Sequence, residues 1–369
     1  MNPLELIISE PGGKILLDSI VPYNTPVIAK MKTRQLLVDV TTISFFAPAA
    51  EYVASTFKSV QPELWTVVPA DQILLTSPAG TPTTVTYTHS PAFDDNSTHF
   101  STLAVNNPNT NSNYDNTDST LIISYEGLAG DNIAYLLFPN LGLYNYQAIH
   151  SGSETISLAQ MDTTAKVFYN TPSQYFLAVS SLTGYTDTTD FTKSISLYLN
   201  FQHFPLGDLQ YPPHSKVPIQ KYWVQVEAST ANNEFVAFNS YGNTAPTGTL
   251  SVPFPATPIY TLNSTTEDSL SVSFTQQPSI WSTNWFGGNV SYSISASPDS
   301  TQIHPLSLLS SLHSKLLQGQ MPTSLTIQRF NYESIPSLDY KGYIQQEAST
   351  AVLSHPFFAN DLVYLLFME

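Results

Sequence analysis

The residues best suited to chemistry in this 369-residue chain are few and scattered. There is no cysteine, which excludes disulfides, thiolate metal sites and cysteine nucleophiles. A serine hydrolase elbow of the form Gly-x-Ser-x-Gly and a His-Glu-x-x-His zinc helix are both missing from the sequence. The nearest gathering of imidazole and carboxylate is His203, Asp208 and His214, in a stretch punctuated by Pro205, Pro212 and Pro213. Two imidazoles and a carboxylate can converge on zinc, and in a proline-rich loop they serve equally as polar packing groups. Oxygen donors recur at every second residue in Asn109, Asn111, Asn113 and Asp115, a spacing that lets a bent loop wrap calcium. Tyr114 stands where the calcium loop of an EF-hand turns on glycine, and Thr120 where it places its bidentate glutamate.

Glycoside hydrolysis needs two carboxylates facing one another, and the spacing of the 28 acids singles out no pair. Trp281, Trp285 and Phe286 precede Gly287-Gly288 and suit either the stacking of sugar rings or a core or subunit interface. Asn96, Asn263 and Asn289 open N-x-Ser/Thr sequons that would accept glycans in a cell with the machinery. The expectation is no catalytic residue, no cofactor, and no metal other than calcium at the Asn109 to Asp115 run.

Charge narrows the partners. Against 28 Asp+Glu stand 12 Lys+Arg, for a formal net charge of −16. No Lys or Arg lies between Lys58 and Lys166, or between Lys221 and Lys315, so large faces repel phosphate and direct nucleic-acid binding is not expected. Lys14, Lys30, Lys32, Arg34 and Lys58 concentrate basic charge in the opening segment. Lys30, Lys32 and Arg34 are the expected assembly contacts, facing an acidic neighbour. At 42% hydrophobic and 11% charged residues the chain is globular, with a surface of hydroxyls and amides. The opening residues do not read as a secretory signal, and no apolar run approaches the roughly 18 residues of a spanning helix.

The elements that must position these residues are strands. Ile195, Leu197, Leu199 and Phe201 alternate with Ser194, Ser196, Tyr198 and Asn200, and the same period recurs at Leu270, Val272, Phe274 and at Val290, Tyr292, Ile294. Gln35 to Phe46 and Thr83 to Thr88 also read as strand. Ala49 to Phe57 reads as a short helix opened by Pro48, Asn106 to Asp118 as an exposed loop, and Pro246 to Pro258 as a linker. A leucine stripe predicts a helix from Pro305 to Gln318.

Lys221 to Ala231 recurs 120 positions later as Lys341 to Ala351, with Lys, Gln, Glu, Ala, Ser, Thr and Ala in register. A repeat of this kind predicts equivalent strands in two related units. A fainter echo joins Asp118–Ser124 and Tyr135–Phe138 to the C-terminus. The expected organisation is therefore an N-terminal β domain over 1–141, a β-sandwich over 142–250 and a related one over 251–369. The fold class is all-β, tandem antiparallel jelly-roll-like sandwiches with one or two short helices.

In style the chain resembles the coat, vertex, turret or spike proteins of tailless icosahedral viruses of thermophilic archaea. The tandem Glu-Ala-Ser-Thr units and Ser/Thr/Tyr-rich strands such as Ser194 to Phe201 carry the resemblance. It implies a structural virion protein without enzymatic activity, made in the host cytoplasm without a signal and found in the extracellular particle. It further implies self-assembly as a pentamer or trimer beside other coat proteins, with host surface glycans as further partners. The alternatives are a secreted or surface carbohydrate-binding β-sandwich and a glycoside hydrolase with β domains.

Overall fold

The computed structural model describes residues 4–22, 36–61, 81–88, 99–102, 104–105, 113–116, 120–127, 133–148, 153–157, 161–170, 173–187, 193–200, 206–213, 218–230, 234–242, 245, 249–252, 254, 259–266, 268–335, 338–344 and 361–367. It is all-β and sandwich-like, as the alternation predicts. Helix is confined, among the described residues, to Pro305–Ser311 and 340–344, with a 3-10 turn at Ala47–Ala49. None of these is long and apolar enough to cross a membrane. By internal contacts the chain forms two compact units, which do not follow the expected boundaries after 141 and 250. One comprises Met1–Ile73, Thr230–Val236 and Pro255–Glu369, the other Leu74–Ser229 and Ala237–Phe254.

In the first unit the large sheet runs, in spatial order, Ile15–Val21, Leu4–Ser9, Val38–Phe46, Glu51–Val60, Val290–Ala296, Ile280–Gly287, Thr326–Ser334 and Asp361–Phe367. Neighbours are antiparallel except Glu51–Val60 and Val290–Ala296, which pair in parallel with Tyr52 opposite Val290. The expected alternation holds: Val290, Tyr292 and Ile294 are buried while Ser291, Ser293 and Ser295 are half-exposed. A smaller sheet of Tyr260–Thr266, Ser269–Phe274 and Gln302–Ile303 packs its rings against the large one. Tyr260 lies 4.7 Å from Phe330, Phe274 6.2 Å from Trp281, and Trp281 5.9 Å from Phe330, centroid to centroid. Aromatic rings at such separations bury much apolar area per residue, so this layer is the unit's core. The Thr41, Thr56 and Tyr292 hydroxyls form a buried chain of 2.7 and 2.9 Å hydrogen bonds across three strands.

Four local expectations differ from the fold. Ala49 to Phe57 does not form a helix. After the Ala47–Ala49 turn, Glu51–Val60 is a strand, because Tyr52, Val53, Thr56 and Phe57 are β-formers with a partner strand on each side. Asn113–Asn116, expected in a loop, is a strand paired with Thr120–Gly127. Within the proline-rich stretch expected as linker, Thr249–Leu250 pairs with Phe168 and Tyr169, and Val252 and Phe254 are buried. The leucine-stripe helix starts at Pro305 as predicted but ends at Ser311. Asp268 begins it, accepting N–H bonds from Leu306 and Ser307 at 3.0 and 3.1 Å. Beyond it His313 takes a left-handed φ of 50°, and the N–H groups of Lys315 and Leu316 turn to the Glu5 carboxylate at 2.8 and 3.2 Å instead of continuing a helix.

The sequence repeat is also not a structural one over its described part. Lys221–Thr230 is a strand, whereas 341–344 is helical. Asp339 is the reason: its Oδ1 accepts the Gly342 N–H at 2.8 Å and its carbonyl accepts the Tyr343 N–H at 2.9 Å, an N-cap that Ile219, two residues ahead of the first copy as Asp339 is of the second, does not supply.

The second unit contains several sheets. One runs Ala104–Val105, Lys193–Asn200, Tyr175–Tyr185, Lys221–Thr230 and Glu234–Gly242. Others join Asp162–Thr163, Leu143–Ala148, Ile133–Phe138 and His99–Thr102; Ser153–Ser157, Thr81–Thr88, Thr120–Gly127 and Asn113–Asn116; and Leu206–Tyr211, Ala165–Asn170 and Thr249–Leu250. Its core holds Tyr135, Leu136, Leu137, Tyr169, Leu182, Leu197, Tyr198 and Leu209. Two side chains tie different sheets through one carbonyl: His99 Nε2 donates to Ser196 O at 2.9 Å and Ser101 Oγ donates to it at 2.5 Å. The alternation of Ile195 to Leu199 slips part-way. A bulge skips Leu197 between the pairs Thr183–Ser196 and Leu182–Tyr198, so Tyr198 is buried and Leu199 is 41% exposed, the reverse of the simple period.

Candidate functional site

Four segments of the first unit line a cleft of ≈ 370 Å³, the first of them contributing Leu37. The end of Glu51–Val60 supplies Ser59, Val60 and then Gln61; the turn after Val290–Ala296 supplies Ser297 to Ser300; and Asp339, Tyr340, Lys341 and Ile344 come from the short helical turn. Apolar packing sets the floor, with Val60, Ile280 and Ile344 buried together and Phe57, Tyr340 and Tyr343 against them. Polar bonds fix the walls. Trp281 Nε1 donates to Ser297 O at 2.9 Å, and Ser279 Oγ donates to Leu338 O at 2.6 Å while accepting the Ile335 N–H at 3.0 Å. Tyr340 donates its hydroxyl to Lys58 O at 2.7 Å, and burial, reinforced by the Asp39 carboxylate, pushes its phenol far up.

Ser59 at the cleft has a left-handed φ of 59°, held because the buried Asp39 accepts its N–H at 2.8 Å. Lys58 Nζ lies 3.7 Å from the other Asp39 oxygen. The lining offers carboxylates (Asp299, Asp339), an ammonium (Lys341), an amide (Gln61) and hydroxyls around aliphatic Leu37, Val60, Pro298 and Ile344. It includes no histidine beside its serines, so it can hold a small polar molecule but pairs no nucleophile with a base.

In the second unit one face of Lys221–Thr230 carries Trp223, Gln225 and Glu227, all half-exposed. Trp223 Nε1 donates to Asn239 Oδ1 at 3.2 Å, and Gln225 Nε2 donates to Glu227 Oε1 at 2.7 Å. Burial raises the Glu227 carboxyl and the bond from Gln225 works against that rise. An indole edge-fixed by an amide, beside a carboxylate and an amide, has the chemistry to stack on and hydrogen-bond a polar ring.

The residues singled out from the sequence fall elsewhere. Trp281 and Trp285 are 0% and 1% exposed, so the expectation of ligand aromatics is corrected for both: they are core, their indole N–H groups bound to Ser297 O and Thr283 Oγ1. Phe286 is 38% exposed. Asn109 and Asn111 lie outside the described residues; Asn113 and Asp115 sit in an extended strand opposite Ser124 and Ile122, not in the bend that a wrapping loop requires. His203 and His214 are outside the described residues, and Asp208 faces Lys166 Nζ at 3.3 Å and accepts the Tyr198 hydroxyl at 3.1 Å. Lys30, Lys32 and Arg34 also lie outside them, as does Asn96. Among the described residues no three His, Asp or Glu gather as metal ligands. The cleft was not legible in the sequence, since its lining comes from four separate segments with no shared spacing. Trp223 and Glu227 stood in view inside the repeat, and only the half-exposure of their strand face distinguishes them.

No family model matches the chain, and no curated protein matches it. Among solved structures it is similar, at 12% identity, to a calcium-stabilised adhesin that helps an Antarctic bacterium reach out and bind ice. The likeness covers 91% of this chain and 87% of that one with a TM-score of 0.15, too low to carry an argument about either fold or activity.

Proposed function

We propose that the chain is a structural subunit that acts by assembly, as a coat, vertex, turret or spike component of a virion, and not by catalysis. One observation carries this reading: several buried or half-buried ionisable groups join segments that are separate in the sequence. Glu5 binds 314–316, Asp39 binds Ser59, Asp268 starts the Pro305–Ser311 helix and His99 holds Ser196. Rigid β units with a sparsely charged, hydroxyl-rich surface suit a building block, and copies pack where apolar and aromatic area meets. Mass photometry of the purified chain, followed by electron microscopy of any particle, tests it. A closed ring or larger shell is the expected result, and a chain that stays monomeric at high concentration overturns it.

A second reading, carbohydrate binding, is favoured by the Trp223, Gln225 and Glu227 face. A glycan array separates the two, since binding that Trp223→Ala abolishes, by a chain that does not assemble, selects the second.

A further inference from the structure

The cleft of the first unit joins apolar area to an excess of carboxylate. Leu37, Val60, Pro298 and Ile344 contribute the apolar part. Among its described lining residues the charged side chains are Asp299, Asp339 and Lys341, all exposed, so two carboxylates stand against one ammonium. Asp39 and Lys58, behind Ser59, approach each other at 3.7 Å and offset one another. Glu333 accepts the hydroxyl of Tyr343, which packs against the floor, at 3.1 Å and adds negative charge nearby. The carboxylates sit on preformed backbone. Ser300 donates its N–H to Ser297 O at 2.9 Å and Asp299 its N–H to Ser297 Oγ at 3.2 Å, which closes the turn that carries Asp299. The bond from the Gly342 N–H fixes the Asp339 carboxylate, and an ionised carboxylate keeps further acceptor capacity beyond one such bond.

We infer that this cleft binds a small organic cation, a primary ammonium carried on a short apolar body. Volume sets the size: ≈ 370 Å³ lies at the small end of the roughly 300–1,000 Å³ of small-molecule sites. Charge sets the sign, because the carboxylates attract an ammonium and a chain of net charge −16 repels an anion. The apolar lining sets the body, since packing an aryl or alkyl group against Val60, Ile344 and Tyr340 takes apolar surface out of water. A bare metal ion fits less well, as no three His, Asp or Glu gather among the described residues. Exposed carboxylates are screened by water, so the dissociation constant should be on the order of 1 mM. The inference depends on neither reading of function given above.

Ligand-observed NMR titration of the full chain with three probes of one shape tests it: 2-phenylethylammonium, 2-phenylethanol and 3-phenylpropionate. The cation should bind about tenfold more tightly than the alcohol, and the anion more weakly than either. Asp299→Asn/Asp339→Asn retains a side-chain oxygen for the Gly342 N–H. Folded by circular dichroism, that variant should bind cation and alcohol alike. Asp299→Asn alone, in an exposed turn and outside the cap, should lose part of the preference. A cation that fails to bind at about 10 mM, an alcohol or anion that binds as tightly as the cation, or folded variants that keep the full preference each overturn the inference.

Discussion

The Glu5 carboxylate and the Ser314 hydroxyl, 309 positions apart, are joined by a buried hydrogen bond that clamps the first described strand to the segment beyond the Pro305–Ser311 helix. Glu5 is fully buried and also accepts the Lys315 and Leu316 N–H groups, so a single side chain satisfies three donors. Removing it leaves them unpaired in a low-dielectric interior. Glu5→Ala should destabilise the chain by about 3 kcal/mol or more and Ser314→Ala by about 1–2 kcal/mol. Urea unfolding of the full chain checks both, and the effects should fall short of additivity because the groups are in contact.

The turn Gly287-Gly288 separates two reasons for glycine. A Cβ at Gly287 would stand 2.1 Å from the Ser324 backbone oxygen, whereas at Gly288 nothing lies within 4 Å and the demand is a left-handed φ of 60°. Gly288→Ala should therefore cost about 1 kcal/mol, and Gly288→Asn less. Gly287→Ala forces backbone apart and should cost more than twice as much, read as a lower thermal midpoint.

Acid stability should depend on His99. Burial lowers its pKa and the bond to Ser196 O only partly restores it. A carbonyl can only accept, so Nε2 carries the proton of the neutral ring. Because the folded pKa is depressed, the unfolded chain binds the proton first. The neutral ring's contribution is complete above about pH 6.5 and is lost as pH falls through that value toward the folded pKa. His99→Gln should flatten the stability profile in that window, measured by denaturation midpoints across pH.

At the alkaline end the sign reverses. Burial raises the Tyr332 phenol to about 12, with the bond involving Ser334 opposing it. Its contribution is full below the usual value near 10 and disappears as pH rises from 10 through 12. Phenolate absorbance should lag in the folded chain and appear with unfolding, and Tyr332→Phe should shift the alkaline midpoint upward.

Assembly should respond to the basic opening segment. Reversing Lys30, Lys32 and Arg34 to Glu adds to a net charge of −16 and removes the expected partners of acidic faces. The variant should assemble more weakly, with the loss largest at low salt, while its far-ultraviolet dichroism stays unchanged. Light scattering across a salt series measures it, and unchanged assembly throughout would remove these residues from the interface.

The period of two in Val290 to Ile294 and Leu270 to Val272 determined by itself that these segments are strands with one wet face, and hence the all-β class, because side-chain direction in a strand is set by covalent geometry. The start of the leucine helix at Pro305 and the rarity of basic charge were likewise local facts. Pairing decided the rest. Leu199 faces out because a bulge at Leu197 shifts the register against Leu182, and Glu51 to Phe57 is extended because strands were available on both sides. One Asp at 339 caps 341–344 as a helix although the aligned copy that starts at Lys221 is a strand. Trp281 and Trp285 became core, while Ser59, Asp299 and Asp339 came to share a cleft, through contacts between segments hundreds of positions apart. Such contacts depend on which strands find one another, and no spacing within a single segment encodes that choice.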